Sequence, residues 1–243
     1  MGHGAMTSRT QVLGRDGALP EGADKRRAVE EMFDRVAPGY DRMNRIISLG
    51  QDRRWRRRAV SALALAPGAR VLDVACGTGD LCDDLAAAGH TAIGLDFSAG
   101  MLRQAHTAAP LVRGDALHLP TPGGAFDGVI TGFALRNFVD LGAVLDACAR
   151  ALRPGGRFVA LDAAVPANPV LRAGNTLWFR GAVPLLGRVL SRDVEAYRYL
   201  PKSTAYLPGP SELVAALEAA GFTAVDRTTF MGGSVQLLSG TRS

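Results

Sequence analysis

Short apolar runs alternate with amphipathic stretches of about a dozen residues along the middle of the chain. The runs have the length and composition of buried strands, and they lie at 71–74, 91–95, 111–113, 126–130 and 157–162. Helical periodicity marks the stretches at 79–88, 98–108 and 140–152. This alternation predicts a parallel sheet covered by helices on both faces. A helix at 211–220 and strand-like runs at 222–230 and 234–239 follow, so the predicted fold class is α/β with an antiparallel final hairpin.

The chain has 243 residues, of which 47% are hydrophobic, which is enough for one large buried core. Residues 1–24 are polar and are expected to form a disordered lead-in, whose first six residues resemble an expression scar. A single domain is expected over 25–243. Within it, N-terminal cap helices are predicted over 25–66. The strand–helix alternation stops after Pro166, so a helical insertion over the substrate is predicted over 168–208.

A glycine-rich turn follows the first predicted strand, in the sequence Val-Leu-Asp-Val-Ala-Cys-Gly-Thr-Gly-Asp-Leu. Gly77 and Gly79 allow a ligand to approach the backbone closely. A dinucleotide-binding turn would carry a third glycine and would hold a pyrophosphate, but that glycine is missing here. Asp73 would repel an anion and would attract a sulfonium with an ammonium group. The turn therefore favours S-adenosylmethionine over NAD.

Two further carboxylates follow neighbouring strands. Asp96, next to Phe97, can accept from both ribose hydroxyls, a role that serves either cofactor, and Asp115 can accept from an adenine amino group. Ordinary alternatives exist for parts of this set. Gly-x-Gly is also a common strand–helix link, Cys76 is a small packing residue, and three carboxylates suit a solvated first helical turn, namely Asp80, Asp83 and Asp84.

The net charge of +5 is unevenly distributed. Residues 1–70 carry a net +6, residues 71–167 carry −4 and residues 168–243 carry +3. A uniformly basic nucleic-acid binder would not show this pattern, and no aromatic platform accompanies the basic segments, so no nucleic-acid partner is expected. Five arginines between positions 53 and 58 predict either a solvated cap or contact with an anionic surface such as phospholipid head groups.

The segment 170–190 is apolar but too short and too charged to span a bilayer. It predicts either a pair of core helices broken at Pro184 or a lid that meets a membrane surface through its arginines. The three cysteines show no metal-binding spacing and no disulfide framework, so no metal site is expected and a reducing, cytoplasmic location is the default. A homodimer is also expected.

Five segments resemble the ubiquinone/menaquinone biosynthesis C-methyltransferase family, namely 40–57, 71–81, 133–137, 151–156 and 191–200. The resemblance covers about residues 28–240, and the form of 51–57 is most similar to the demethylmenaquinone branch. It implies a Rossmann-like class I methyltransferase fold, with a mostly parallel seven-stranded sheet, an antiparallel last strand, N-terminal helices and a helical lid insertion. It also implies methyl transfer from S-adenosylmethionine to a ring carbon of a polyprenylated quinol.

The resemblance places cofactor-contacting positions at Thr78, Asp96, Asp115 and Ala116. Gly132 stands where the family usually has a serine contact, so that side-chain contact is lost. Asp162-Ala163-Ala164 replaces the family's Glu-Phe-Ser, and a small residue and a histidine are replaced by Gln236 and Leu238. These departures fall around the expected acceptor pocket, so the identity of the acceptor stays open at this point.

Ring methylation needs an ionised phenol whose ortho carbon attacks the sulfonium methyl group in line. Arg136 is the candidate for stabilising that phenolate, with a structural ion pair as the alternative. Asn137 can orient the hydroxyl and Tyr40 can close the site. Two other functions compete with quinol methylation: C- or O-methylation of another aromatic or polyketide product, and a cofactor-binding relative that no longer transfers methyl groups.

Overall fold

A computed structural model describes residues 21–178, 181, 199 and 202–243, which include a seven-stranded sheet with helices on both faces. The strands are β1 Arg70–Val74, β2 Thr91–Asp96, β3 Leu111–Arg113, β4 Phe126–Gly132, β5 Leu152–Ala163, β6 Phe222–Phe230 and β7 Val235–Arg242. The helices are α1 Gly22–Val36, α2 Tyr40–Ile47, α3 Asp52–Ala62, α4 Asp80–Ala87, α5 Ala99–Arg103, α6 Leu141–Ala151, α7 Pro169–Leu177 and α8 Pro210–Ala219.

The strand order is β3-β2-β1-β4-β5-β7-β6. The first five strands pair in parallel, and β7 runs antiparallel to both β5 and β6. The predicted mostly parallel sheet with an antiparallel last strand is thus confirmed. The chain winds outward from β1 in both directions, with β2 on one side and β4 on the other. A crevice therefore opens beyond the carboxyl ends of β1 and β4, where open α/β sheets bind ligands.

Apolar side chains cover both faces of the sheet. Residues of α6 and α8 pack on one face, where Phe158 and Phe222 place their ring centroids 5.1 Å apart. Residues of α3 and α4 pack on the opposite face around Trp55. Because β1 is covered on both sides, its side chains after Arg70 are all buried, Asp73 among them.

Three element boundaries differ from the sequence prediction. Helix α1 begins at Gly22, so the last residues of the predicted lead-in are helical, while residues 1–20 lie outside the described part of the chain. Helix α5 ends at Arg103, five residues early, because the chain then turns so that His106 donates its backbone N–H to Thr78. Strand β5 starts at Leu152, ahead of the predicted strand at 157–162, since residues 153–156 form a bulge in its pairing with β4.

The predicted insertion at 168–208 is described only at its two ends and at residues 181 and 199. Pro184 and most of the apolar run lie outside the described residues. Helix α7 starts the insertion, with Asn168 as its N-cap, and Trp178 at its end donates its indole N–H to the Ile47 carbonyl at 3.3 Å. The insertion therefore contacts the N-terminal cap. Among the described residues, no helix is long and apolar enough to cross a membrane.

Candidate active site

The glycine-rich turn between β1 and α4 has the backbone conformation that its sequence predicts. Ala75, Gly77 and Gly79 have φ values of 61°, 57° and 92°. A Cβ on Gly79 would lie 2.4 Å from the Cγ2 atom of Thr107, so the position has room only for glycine. The turn directs the backbone N–H of Gly77 toward the tip of β2, where it donates to the Oδ2 atom of Asp96 at 2.7 Å.

Asp96 ends β2 and is held by backbone donors on both oxygens. Its Oδ1 atom accepts from the N–H of Ser98 at 2.8 Å, and the carboxylate is 5% exposed. Burial raises the pKa of Asp96 to about 6, although its backbone hydrogen bonds act in the opposite direction. A carboxylate in this position is oriented before any ligand arrives.

A cleft opens beyond the carboxyl ends of the parallel strands. Eight of the twelve residues predicted for the site line it: Tyr40, Gly77, Asp96, Phe97, Asp115, Ala116, Gly132 and Asn137. The other four do not line it: Asp73, Thr78, Gly79 and Arg136. The cleft lies at the topological switch point, so its position agrees with the sequence argument.

Asp73 lies in β1 at the base of the turn and is fully buried. One carboxylate oxygen accepts from the Cys82 thiol at 3.5 Å, and the other, Oδ1, has no hydrogen-bond partner among the described residues. Burial, together with the nearby charge of Asp96, raises the pKa of Asp73 to about 7. An unsatisfied carboxylate oxygen at this depth is costly, and a cation close to the turn would reduce that cost. The site therefore fits a positively charged ligand such as S-adenosylmethionine.

Thr78 connects the turn to the N-terminal cap. Its hydroxyl donates to the Oδ1 atom of Asp41 at 2.6 Å, and only 2% of the residue is exposed. Asp41 directly follows Tyr40 in α2, and Tyr40 packs edge-to-face against Phe33 with centroids 6.0 Å apart. Burial raises the pKa of Tyr40, so its hydroxyl stays protonated. These contacts close one side of the cleft with α2.

Helix α1 contributes Arg26, Val29 and Phe33 to the cleft, which the sequence argument missed. Arg26 pairs with Asp115 at 3.0 Å, and Asp115 also accepts from the Leu117 N–H at 3.0 Å. Residues 25–66 were predicted only as cap helices. The available signal was the spacing of Val29 and Phe33, which are four residues apart and share one face of a helix.

The opposite side of the cleft is formed by the segment after β4. Phe133 has a positive φ of 58° and donates its N–H to Leu161 at 2.6 Å, which turns the chain sharply at the sheet edge. Asn137 follows in a 3-10 turn, Leu135–Asn137. Its Oδ1 atom accepts from the hydroxyl of Tyr199 at 3.1 Å, so a tyrosine of the insertion orients this amide. A Cβ on Gly132 would lie 2.8 Å from Leu81. This close packing explains why glycine stands where the family usually has a serine.

Arg136 is not among the described residues that line the cleft, and it is 7% exposed. Its guanidinium binds Asp162 and also donates to the hydroxyl of Ser203 at 3.2 Å. The backbone N–H of Arg136 donates to the same carboxylate at 3.3 Å. This arrangement agrees with the alternative interpretation, a structural ion pair. It joins the Asn137 turn to β5 and to the end of the insertion.

One arginine of helix α3 differs from the other four in a way that the sequence did not predict. Arg56 is buried and binds three carboxylates, those of Asp52 at 2.8 Å, Asp80 at 2.9 Å and Asp84 at 2.9 Å. The prediction that Asp80 and Asp84 form a merely solvated helical turn was therefore wrong. The remaining four arginines, Arg53, Arg54, Arg57 and Arg58, are exposed.

Comparison with known proteins identifies relatives over most of the chain. A demethylmenaquinone methyltransferase of Roseiflexus sp. (strain RS-1) is 42% identical over 214 residues, covering 85% of this chain and 90% of the relative. One from Mycolicibacterium vanbaalenii is 41% identical and covers 88% and 95% of the two chains. The solved structure of a Haemonchus contortus phosphoethanolamine N-methyltransferase with S-adenosylhomocysteine has a TM-score of 0.65 at 14% identity, covering 88% of this chain and 59% of that one.

The methyltransferase names of these relatives agree with the sheet topology and with the aspartates that line the cleft. The sheet is the Rossmann-like sheet of class I methyltransferases, and the protein is a methyltransferase that uses S-adenosylmethionine. Residues 21–242 match one family throughout, which leaves only the first twenty residues and the last one outside the match. The chain belongs to the ubiE/COQ5 methyltransferase family.

Proposed function

We propose that this protein methylates a ring carbon of a prenylated quinol such as demethylmenaquinol. One observation carries the proposal: relatives with the name demethylmenaquinone methyltransferase share 42% and 41% identity over nearly the full length of both chains. The cleft supplies the chemistry for this reaction on its two sides. The cofactor side is acidic, and the acceptor side combines aromatic rings with one amide.

The residues of β1, β2 and β3 are proposed to hold the cofactor. Asp96 would accept from the ribose hydroxyls and Asp115 from the adenine amino group, while the Gly77 backbone approaches the ligand closely. Asp73 would supply negative charge for the ammonium and the sulfonium from below the turn. When it is bound, S-adenosylmethionine supplies an electrophilic methyl group.

Asn137 and Tyr199 are proposed to orient the acceptor hydroxyl. The Tyr199 hydroxyl donates to the Oδ1 atom of Asn137 and so fixes the orientation of the amide. The two Nδ2 hydrogens remain for other acceptors. One of them reaches the Phe133 carbonyl at a long 3.4 Å, so the amide can donate to a phenolate oxygen instead. Arg136 would then act as a positioning residue, because its contacts hold the Asn137 turn in place.

Two of the departures from the family pattern do not line the cleft. Asp162 forms an ion pair with Arg136. Gln236 accepts from Arg227 at 2.7 Å and donates to the Ala163 carbonyl at 3.1 Å. Both side chains are buried and serve the packing of β5 against β7. These substitutions therefore give little support to an acceptor other than a quinol.

An assay with purified protein, S-adenosylmethionine and demethylmenaquinol with a short prenyl tail tests this proposal. We expect S-adenosylhomocysteine and a quinol that has gained one methyl group on the ring carbon, identified by mass spectrometry and NMR. Methylation of oxygen, or turnover only with an unprenylated aromatic compound, would favour the alternative acceptor class. Cofactor binding without turnover of any acceptor would favour the non-methylating relative.

A prenylated substrate resides in a membrane, and one face of the protein suits its surface. Leu49 and Leu177 are 61% and 74% exposed, and they lie near the Trp178–Ile47 contact. Helix α3 adds four exposed arginines, one of which, Arg58, lies over the ring of Phe230 at 5.5 Å. We infer peripheral contact with anionic lipid at the cytoplasmic side of the membrane.

Co-sedimentation with vesicles tests this contact. We expect binding to vesicles that contain phosphatidylglycerol, and little binding to vesicles of phosphatidylcholine alone. A variant with L49S and L177S should bind more weakly, whereas A88S, at an exposed site next to α4, should bind as the wild type does. Equal binding to both vesicle types would argue against the electrostatic part of the proposal. The homodimer stays a prediction.

A further inference from the structure

Lys25 is one of only two lysines in the chain, and it is 5% exposed. Its ammonium donates to the backbone carbonyl of Phe138 at 2.6 Å. The same ammonium lies 3.7 Å from the centroid of the Tyr206 ring. A single side chain of α1 therefore contacts the segment after β4 and the end of the insertion at once.

Burying a charged amine at such a position costs free energy. Burial lowers the pKa of Lys25 to about 8, which reflects the cost of removing the ammonium from water. A carbonyl and the face of an aromatic ring offset part of that cost. An apolar side chain of similar length could fill the same space without the cost, but it could not bond to the Phe138 carbonyl.

Phe138, whose carbonyl accepts from Lys25, belongs to the segment after β4 that lines the cleft. The adjacent residues Asn137 and Val139 both line the cleft, as does Phe138 itself. On the other side of Lys25, α1 places Arg26 and Val29 against the cofactor side of the same cleft. The Lys25 contact therefore joins helix α1 directly to the segment that follows the Asn137 turn.

We propose that Lys25 is a positioning residue that fixes the Asn137 turn relative to helix α1, so that acceptor and cofactor meet in a reactive geometry. The Tyr206 contact extends this link to the insertion, whose Tyr199 orients the Asn137 amide. The inference rests on the proposed function, because Asn137 is placed there as the residue that holds the acceptor. It needs no contact between Lys25 and either ligand.

Steady-state kinetics with demethylmenaquinol provide the first test. K25M is expected to lower kcat by at least about tenfold while the cofactor Kd changes by less than about threefold, because Asp96 and Gly77 are held by their own hydrogen bonds. K25R keeps the charge and a donor, so it should retain most of the turnover. R27M is the matched control, since Arg27 is exposed on the same helix and pairs with Asp24 at 3.5 Å.

Hydrogen exchange in the cofactor-free protein gives a readout that does not depend on turnover. The amides of Asn137 and Phe138 donate to Ala134 and Leu135 within the 3-10 turn. Their exchange should accelerate by about tenfold or more in K25M and should stay unchanged in R27M.

Wild-type turnover of K25M, equal losses in K25M and K25R, or unchanged exchange at these amides would each overturn the inference. If the wild-type enzyme fails to methylate any quinol, the proposed function fails. The exchange result would still decide whether Lys25 holds the turn.

Discussion

The backbone N–H of Gly77 donates to the Oδ2 atom of Asp96 at 2.7 Å, which joins the tip of β1 to the tip of β2 across the mouth of the cleft. The bond forms because Gly77 adopts a positive φ and turns its N–H toward the neighbouring strand. The Asp96 carboxylate is consequently fixed in place and keeps acceptor capacity for a ligand that enters the cleft.

D96N should weaken cofactor binding. Asparagine keeps one acceptor oxygen but replaces the other with an NH2 group, which faces the donors of Gly77 or Ser98 and loses a hydrogen bond to them. We expect the Kd for S-adenosylmethionine to rise by about tenfold or more, measured by isothermal titration calorimetry. D83N serves as the control because the Asp83 side chain is 46% exposed. Equal affinity in D96N would remove Asp96 from the cofactor site.

Cofactor affinity should rise with pH through the neutral range because of Asp73. The pKa of its carboxyl is raised to about 7, so the group is largely protonated below that pH and charged above it. A cationic ligand is held more tightly by the charged form. We expect the Kd to fall between about pH 6 and 8, whereas D73N should bind weakly and lose most of this dependence.

The same carboxyl has the opposite effect on the stability of the cofactor-free fold. Its pKa is above the ordinary value of 3.8, so the folded state binds the proton more tightly than the unfolded chain does. The free energy of unfolding should therefore decrease as pH rises from about 4 to 7, and D73N should reduce that slope. Urea denaturation at several pH values measures it. A slope that D73N leaves unchanged would contradict the assignment.

G79A should destabilise the fold and weaken cofactor binding. The new Cβ would lie 2.4 Å from the Thr107 Cγ2 atom, and the φ of 92° is strained for any residue with a side chain. We expect a loss of about 1–3 kcal/mol in the free energy of unfolding. G174A is the matched control, because a Cβ on Gly174 meets no atom within 4 Å outside its own helix in the described part of the chain. Similar stability in the two variants would show that the turn tolerates a Cβ.

R56M should lower the free energy of unfolding by about 3 kcal/mol, because it leaves one buried and two partly buried carboxylates without a cation. Arg56 binds both Asp80 and Asp84, so it also anchors the start of α4 directly after the glycine-rich turn. R57M on the exposed face of α3 should change stability by about 0.5 kcal/mol or less. Urea denaturation distinguishes the two variants, and a small effect of R56M would mean that water replaces the guanidinium.

The sequence predicted those parts of the site that depend on local pattern. Asp96 and Asp115 could be placed because each follows a short apolar run, and parallel strands end at one edge of the sheet. Lys25 and Arg56 could not be distinguished from their charged neighbours. Their roles depend on partners far along the chain, such as the Phe138 carbonyl for Lys25, and no helical or strand period encodes such a pairing.

The last prediction concerns the buried pair of Arg136 and Asp162, which are 7% and 0% exposed. Removing one partner leaves the other charge buried without compensation, so R136M and D162N should each cost about 3–5 kcal/mol of unfolding free energy. The double variant leaves no buried charge and should be less destabilised than the sum of the two, with a coupling energy of about 2 kcal/mol or more. A double-mutant cycle by urea denaturation measures this coupling. Because Asn137 follows Arg136 directly, all three variants should also lose turnover while cofactor affinity stays close to the wild-type value. Additive losses of stability would contradict a direct pair between Arg136 and Asp162. Full turnover in R136M would mean that the Asn137 turn holds its position without the guanidinium.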